Sequence, residues 1–509
     1  MSLTKSCCRT HNSWTPKCIC PPNTVLLSSC ASASSASRVD SSGDDAGFSR
    51  VSDTPPTSLE RRLGPLDAAA IVVSNVIGGG IFFIPIIVAS MVPDARGVLA
   101  VWLVGGALAF AGAMAYAELA ALRLHAGGEY VYLRDAYGPL IGFLSGWTSF
   151  VAGFSGAIAA SSIALAEYVG RFLPIAGHAT PLLVIPLPLV PLVFSPKTLT
   201  ALVVIAVLTL AHLRGLGPGR LVQNGLAGAK ISALVVFLVL GFVVGRGSPA
   251  NVSAAGMFSG TGFMLAIVPV MFTYSGWNAA AYVAEEVRSP ARNVPIALGL
   301  GTLVVIAIYV GLNILYLYAL PVAELSKVSG TLIDSVAERL FGFVAGNLIA
   351  AFTIVSIAAS ISAMVLAGPR VYFAMARDGV FAAPAGRIHP RFRAPTRAIV
   401  AQAVWSGVLV LSGTLSQLVS YTGFALVLFS GIAVAAVFVL RHREPDVARP
   451  FRAWGYPWAP GLFVTVSTIV VANEIWRNPL PSAAGLAIIG AGIPVYRWMK
   501  RAGASRLRQ

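Results

Sequence analysis

Residues 74–82 read Ser-Asn-Val-Ile-Gly-Gly-Gly-Ile-Phe, and the three consecutive glycines lie in the middle of an apolar run that is long enough to cross a membrane. Each glycine inside a helix costs about 1 kcal/mol relative to alanine. A second apolar run is interrupted in a similar way by Phe-Thr-Tyr-Ser-Gly-Trp-Asn at residues 272–278, where a simple membrane anchor would carry Leu or Val. We therefore predict two membrane-spanning helices that are discontinuous near mid-depth.

The two interruptions are separated by about one five-helix unit, as expected for two structural repeats. Transporters built from inverted repeats place their binding site where two equivalent helices are broken. An unwound stretch exposes backbone N–H groups, and the half-helix that follows directs its positive end at the gap, where a carboxylate fits. Carbonyl groups and the negative end of the other half-helix suit an ammonium, so the two breaks together predict a site for an α-amino acid. For either break alone, glycines that merely allow close helix packing are the alternative.

The composition excludes most soluble classes of protein. Of the 509 residues 56% are apolar, and the 36 Lys and Arg and 20 Asp and Glu amount to 11%, against about 25% in soluble domains. So few charges cannot cover a water-facing surface of this size, which excludes a soluble enzyme, a disordered hub and a secreted disulfide scaffold. The formal net charge of +16 then indicates a basic inner face against anionic lipid rather than a nucleic-acid site.

The apolar runs predict an all-α integral membrane protein. A hydrocarbon core about 30 Å thick needs about 20 apolar residues per helix. Twelve runs are suitable: 67–91, 98–122, 140–170, 199–213, 221–245, 262–284, 294–320, 343–368, 398–413, 418–440, 458–475 and 480–498. The proline-rich stretch 181–196 cannot form a regular helix, and we predict an outer loop at the membrane interface there.

The distribution of basic residues predicts the orientation of these helices. If the N-terminus is inside, the inner loops and the C-terminal end hold 21 Lys and Arg, and the outer loops hold seven. By the positive-inside rule both termini are then cytoplasmic, in a multi-pass protein of the cell membrane (plasma or inner). The predicted organisation is a first repeat at 66–245, a second repeat at 246–440, peripheral helices at 441–498 and a basic cytoplasmic tail at 499–509.

The segment 1–65 differs from the rest of the chain. It is rich in Ser and Pro and has no long apolar run, so we predict a disordered cytoplasmic tail. All five cysteines lie within its first 30 residues, at spacings that lack the paired C-x2-C pattern of structural zinc sites. We expect no metal site and no cofactor, and no disulfides in a reducing compartment.

Several motifs resemble those of one known family. Residues 76–82 resemble the G-S-G-I-F signature of the amino acid–polyamine–organocation superfamily, with Gly79 where serine is usual. Residues 272–278 look like the sixth helix of the L-type amino-acid transporters and their bacterial relatives. Further family-like landmarks are Glu285-Glu286, Pro290, Tyr116-Ala117-Glu118-Leu119, Gly127-Gly128-Glu129-Tyr130 and Gly368-Pro369-Arg370. The resemblance runs from about Leu66 to Trp498 and implies a LeuT-type fold, with ten core helices in a 5+5 inverted repeat, helices 1 and 6 discontinuous, and two peripheral helices.

The resemblance also implies roles for single residues around the two breaks. Backbone N–H groups would hold the substrate carboxylate at Ile77, Gly78, Gly79 and Gly80. Carbonyl groups would accept from the α-ammonium at Phe272, Tyr274 and Gly276. Phe272 would in addition close over the substrate as a gate, and Asn278 would tune recognition. Without the usual serine hydroxyl at position 79, the carboxylate loses one donor.

Lys230 is a charge within the fifth predicted helix. An ammonium there costs about 2.5–3.5 kcal/mol on insertion scales, so we expect a partner for it. In similar sodium-independent family members a lysine at this point occupies the space of a sodium ion and contacts the first broken helix. Lys230 would then either shuttle a proton or remain a fixed cation in an exchanger. The alternative is a lysine that snorkels to the inner interface.

Two acidic residues follow the second break. Glu285 and Glu286 precede Arg288 and Arg292, and we predict that the acids pair with these arginines as a latch on the inner side. The gate residues are therefore predicted to be Phe272, Glu285 and Arg288.

These observations predict a secondary active transporter for neutral L-amino acids that works by alternating access, without sodium, by exchange or proton symport. No acidic side chain and no additional arginine lies at either break, which disfavours cationic and acidic substrates. A proton-coupled carrier of another amine or organocation, or a transporter-like nutrient sensor, is the alternative. A channel would need repeated pore helices or rings of charge, and an enzyme would need a catalytic set that the six scattered histidines do not form.

The expected partners are the amino acid and the lipid bilayer. Animal L-type carriers are joined to a heavy chain through a cysteine in an outer loop. Because no cysteine follows Cys30, we expect no covalent heavy-chain partner, and we expect no nucleic acid.

Overall fold

The structure is a computed structural model, and it describes residues 59–186, 191–254, 256, 259–329, 331–342, 345–412 and 415–506. Most of the predicted tail at 1–65, including all five cysteines, therefore lies outside the described residues. The same holds for the last three residues of the predicted C-terminal tail at 499–509.

The described part is helical apart from one short hairpin. Its α-helices are α1 (Pro65–Val76), α2 (Gly80–Met91), α3 (Ala95–Leu122), α4 (Glu129–Tyr137), α5 (Pro139–Thr148), α6 (Phe154–Gly170), α7 (Pro174–Gly177), α8 (Pro196–Leu213), α9 (Leu216–Val243), α10 (Pro249–Ser253), α11 (Gly260–Thr273), α12 (Ala279–Tyr282), α13 (Pro290–Ala319), α14 (Val322–Leu325), α15 (Leu332–Phe341), α16 (Ala345–Arg377), α17 (Thr396–Leu411), α18 (Leu415–Arg443), α19 (Trp458–Arg477) and α20 (Pro479–Arg506). A π-helical segment at Ser149–Gly153 joins α5 to α6, and short 3-10 turns lie at Ala284–Glu286 and Ala383–Gly386.

The predicted outer loop 181–196 contains two strands instead of irregular chain alone. β1 (Leu183–Ile185) and β2 (Leu192–Phe194) pair antiparallel, with Val184 opposite Val193. Before α8 begins at Pro196, the described residues of the segment are not helical, as its prolines predict.

Among the described residues, nine helices are long and apolar enough to cross a membrane. The pair α1 and α2 passes the same test together and is bent by 50° at its break. Two shorter apolar helices, α11 and α17, lie at predicted spans. The prediction of a helical, multi-pass membrane protein is therefore confirmed.

Both predicted interruptions are present, and each has a local cause. α1 ends at Val76 and α2 begins at Gly80, so the glycine run occupies the gap between them. α11 ends at Thr273, and Gly276 in the following turn has φ of +100°. Because residues with a Cβ atom avoid this conformation, a glycine is required there.

The two broken helices lie next to each other within the bundle. α13 packs against α1 and α3, while α16 packs against α1, α6 and α9. α2 packs against α11, which brings the two breaks together. A Cβ atom on Gly80 would lie 3.0 Å from Thr273 Cγ2, so this glycine allows the close approach of the two half-helices.

Candidate functional site

A cavity of about 450 Å³ is lined by residues of both breaks. Five of the predicted site residues line it: Gly78, Gly79, Phe272, Gly276 and Asn278. The six others are not among its lining residues: Ile77, Gly80, Tyr274, Lys230, Glu285 and Arg288. The rest of the wall is mainly apolar with several serine hydroxyls, and no Asp, Glu, Lys or Arg of the described residues lines it. The cavity therefore suits a ligand whose side chain is uncharged.

The backbone at the first break narrows the set of predicted carboxylate donors. The Ile77 N–H donates to Val73 O at 2.9 Å, and the Gly78 N–H donates to Val76 O at 2.8 Å. This corrects the prediction for Ile77 and Gly78, because in this conformation both groups already have acceptors. In the described part of the chain, the Gly79 and Gly80 N–H groups have no backbone acceptor, and Gly79 lines the cavity.

The Lys230 side chain is completely buried beneath the first break. Its ammonium donates to Ser74 O at 3.2 Å, to Ser360 Oγ at 2.9 Å and to Ile77 O. These carbonyls lie at the C-terminal end of α1, where the helix dipole is negative and carbonyl groups have no intrahelical partner. The buried position differs from that of a snorkelling lysine, and the contact with the first broken helix is the one that the resemblance implies.

Two further residues, which sequence reasoning did not assign to the site, tie the breaks together. The Tyr309 hydroxyl donates to Val76 O at 2.9 Å and lies 3.3 Å from Thr273 O, so it reaches the ends of both α1 and α11. Asn75 Nδ2 donates to Gly276 O at 3.2 Å. Asn75 belongs to the quoted stretch at the first break, whereas Tyr309 comes from α13 with no local motif to mark it.

The two aromatic residues at the second break face different surroundings. The Phe272 ring lines the cavity and lies so close to α18 that a Cβ atom on Gly423 would be 2.9 Å from it. Tyr274 is buried away from the cavity, and its hydroxyl donates to Trp102 O at 3.2 Å. Phe272 therefore lines the cavity beside α18, while Tyr274 anchors the break to α3.

Asn278 connects the cavity to a buried carboxylate that the sequence analysis treated only as a landmark. Its Nδ2 donates to Glu129 Oε1 at 2.7 Å, and Tyr116 donates to the same oxygen at 2.6 Å. Burial raises the pKa of the Glu129 carboxyl, whereas the hydrogen bonds from Tyr116 and Asn278 act in the opposite direction. Among the described residues no cation pairs with Glu129, so the carboxyl group depends on hydrogen-bond donors, and it fixes the orientation of the Asn278 amide.

The predicted inner latch has other partners than expected. Glu285 pairs with Arg377 at 3.1 Å, and Glu286 forms a fully buried pair with Arg370 at 3.0 Å. The prediction that these acids pair with Arg288 and Arg292 is wrong, because the chain turns at Ser289 and α16 supplies the arginines instead.

Glu285 also holds two backbone segments by hydrogen bonds. Its carboxylate accepts from the Leu59 N–H at 3.3 Å and from the Ala126 N–H at 3.1 Å. Residues 62 and 63 donate their N–H groups to Glu286 O, at 2.9 Å each. The stretch before α1, the loop after α3 and the end of α16 therefore meet at the end of the second broken helix.

The chain is similar to known proteins over most of its length. A model of the amino acid permease family matches residues 63–493. The serine/threonine exchanger SteT of Bacillus subtilis (strain 168) is 30% identical over 458 residues, which cover 89% of this chain and 100% of that protein. The human large neutral amino acids transporter small subunit 2 is 28% identical over 449 residues, which cover 86% of this chain and 80% of that protein. The human cystine/glutamate transporter is 28% identical over 444 residues, which cover 86% of this chain and 85% of that protein.

The matched region contains both broken helices, the cavity between them and the lysine beneath the first break. The resemblance deduced from the motifs is thereby confirmed. The chain belongs to the amino acid permease family, whose members are membrane transporters.

Proposed function

We propose that this protein moves neutral L-amino acids across the membrane by alternating access, as an exchanger or a proton symporter that does not use sodium. The observation that carries the proposal is the cavity at the two breaks, whose described lining residues include no charged side chain. The Gly79 N–H and the positive end of α2 suit the substrate carboxylate. The carbonyls at the end of α11 suit the α-ammonium.

The finer architecture that we propose is twelve membrane helices in a LeuT-type 5+5 inverted repeat. The nine long spans, the bent pair and the two shorter apolar helices are consistent with that number. α1 with α2 is then helix 1, and α11 with α12 is helix 6. We place both termini in the cytoplasm of the cell membrane, since 21 basic residues lie in the inner loops and C-terminal end and seven in the outer loops.

We assign Lys230 the role of a permanent or titrating cation in place of sodium. Its three acceptors at the end of α1 and on Ser360 resemble the oxygen cage that a bound cation prefers. A fixed charge corresponds to an exchanger, and an ammonium that releases its proton in each cycle corresponds to a symporter.

Two gates would control access to the cavity. Phe272 closes the substrate off beside α18, and Glu285 with Arg377 holds the inner side shut. Arg288 lies next to this latch in sequence but takes no part in its ion pair, so we no longer place it in the gate. We expect no heavy chain joined through an outer-loop cysteine, because the chain has no cysteine after Cys30.

The test is uptake of radiolabelled amino acids by proteoliposomes, with alanine, serine and leucine compared with arginine and glutamate. Each is measured with and without internal amino acid, a pH gradient and sodium. Uptake of the neutral set only against internal amino acid identifies an exchanger, and uptake driven by an inward proton gradient identifies a symporter. If sodium is required, or if no amino acid is taken up, the proposal is overturned.

A further inference from the structure

A second, smaller cavity of about 110 Å³ has a different lining from the first. It is enclosed by three segments that are distant in sequence: the stretch before α1, the turn from α8 into α9, and the loop before α17. Each of these segments contributes arginine to its wall, and the four are Arg62, Arg214, Arg391 and Arg393. The cavity wall therefore carries four basic residues from three separate parts of the chain.

The positive charge of this cavity is largely uncompensated. Glu60 is the acidic residue among its lining residues, and it pairs with Arg62 at 2.9 Å. Within the described ranges, Arg214, Arg391 and Arg393 form no ion pair with a carboxylate. Guanidinium groups that converge without counter-charges repel one another, and their planar donor sets match the oxygens of a phosphate group.

The loop that carries two of these arginines is held in a defined conformation. His389 Nδ1 accepts from the N–H groups of Arg391 and Phe392 at 3.2 and 3.3 Å. Across the cavity wall, Gly215 has φ of +98°, and a Cβ atom there would be 2.5 Å from Phe392 O. The turn before α9 and this loop are thus fitted closely together, so the backbone positions of the arginines are fixed relative to one another.

The position of the cavity indicates a lipid as the source of the anion. It lies between the last residue of one membrane-spanning helix, Leu213 of α8, and the first residue of the next, Leu216 of α9. Leu66 and Leu221 lie a few residues after the lining residues Arg62 and Pro218. They are 71% and 75% exposed, as expected for side chains that face acyl chains. Basic pockets between membrane helices at the cytoplasmic side bind the headgroups of anionic lipids.

We propose that this cavity binds the phosphate group of an anionic phospholipid through Arg214, Arg391 and Arg393. A bound headgroup links the stretch before α1 to α9 and to the loop before α17. The same stretch is held to the end of the second broken helix through the Glu286 carbonyl, so the lipid stabilises the inner latch.

The test is the melting temperature of the full-length, detergent-solubilised protein, followed by tryptophan fluorescence. Short-chain phosphatidylglycerol, short-chain phosphatidylcholine and inorganic phosphate are titrated separately. Phosphatidylglycerol should raise the melting temperature at lower concentrations than the other two. The double variant Arg391→Gln/Arg393→Gln should bind it more weakly, by about fivefold for each arginine removed.

Arg501→Gln is the matched control, since Arg501 is exposed near the end of α20 and does not line the cavity. If the double variant is not folded, Arg214→Gln provides the same comparison. An unchanged phosphatidylglycerol titration in the cavity variants overturns the proposal. An equal effect of inorganic phosphate overturns the assignment to lipid. Because no transport is measured, either result leaves the proposed function untouched.

Discussion

At the scale of single residues, the site depends on side chains that satisfy the backbone groups freed by unwinding. A carbonyl at the end of a broken helix has no intrahelical donor, and in a membrane protein there is little water to replace it. Lys230, Tyr309 and Asn75 supply donors to such carbonyls. These side chains therefore help to stabilise the breaks from other elements of the bundle.

Lys230→Met removes the ammonium that donates to Ser74 O, whereas Ile77 O keeps the Ser360 hydroxyl as a donor at 3.0 Å. A buried carbonyl left without a partner costs about 1–3 kcal/mol. We expect uptake to fall at least about tenfold, with no gain of sodium dependence. The measurement is proteoliposome uptake in sodium chloride and in choline chloride. Lys197→Met is the control, because Lys197 pairs with the exposed Glu167 at 3.0 Å and such pairs contribute about 0–1 kcal/mol. Uptake by the Lys230 variant at the wild-type rate would rule out a role in coupling.

Tyr309→Phe removes a single hydroxyl group that links the two breaks. We expect it to lower the free energy of unfolding by about 0.5–1.5 kcal/mol, because the hydrogen bond to Val76 O is lost while that carbonyl keeps the Gly78 N–H as a donor. Tyr316→Phe is a matched control on the same helix, since the Tyr316 hydroxyl is buried and has no hydrogen-bond partner within the described residues. Thermal unfolding of both variants provides the comparison. Equal melting temperatures would show that the Tyr309 bond contributes nothing.

At the scale of elements, the second broken helix contacts both predicted gates. Phe272 lies in the last turn of its α11 half, and the Phe272 ring lies against α18. The chain after α12 carries Glu285 and Glu286, which hold α16 and the stretch before α1. A tilt of this one helix would therefore change the packing on both sides of the cavity.

Phe272→Ala removes the ring that lines the cavity beside α18. We expect substrate binding to remain measurable and the exchange rate to fall several-fold, because closure over the substrate loses its apolar contact. Binding by equilibrium dialysis and exchange in proteoliposomes separate the two effects. An exchange rate identical to that of the wild type argues against Phe272 as a gate.

Glu285→Gln removes the negative charge that pairs with Arg377. It also weakens the hydrogen bonds that the carboxylate accepts from the Leu59 and Ala126 N–H groups. We expect faster hydrogen–deuterium exchange in residues 59–64, because their anchor is weakened. Arg288→Gln serves as the control and should leave this exchange unchanged. A reversed result, with the effect in the Arg288 variant alone, would restore the pairing predicted from sequence.

At the scale of the whole molecule, the distribution of basic residues determines the orientation that we propose. The five native cysteines all lie in the first 30 residues, and the test uses a variant in which each of them is replaced by serine. Single cysteines are introduced at Asp446 and Asn478, which are both exposed between membrane helices. A membrane-impermeant maleimide should label position 478 in intact cells and position 446 only after permeabilisation. The opposite pattern would invert the topology.

The sequence alone was sufficient to predict the membrane class, the broken helices and the family. These features depend on local composition: apolar runs set the helices, and consecutive glycines, or a glycine that must adopt positive φ, set the breaks. Lys230 was predictable as a special residue because a charge within an apolar run is costly. The twelve helices and the inverted repeat remain predictions that local patterns support.

Tertiary structure alone decided which groups meet. Glu285 pairs with Arg377, 92 residues away, instead of with Arg288 three residues away. Tyr309 reaches the Val76 carbonyl, 233 residues earlier in the chain. The arginines around the smaller cavity also come from three separate segments. A sequence pattern reports which polar groups need partners, but which partner is within reach depends on how the helices pack, and packing is a property of the whole bundle.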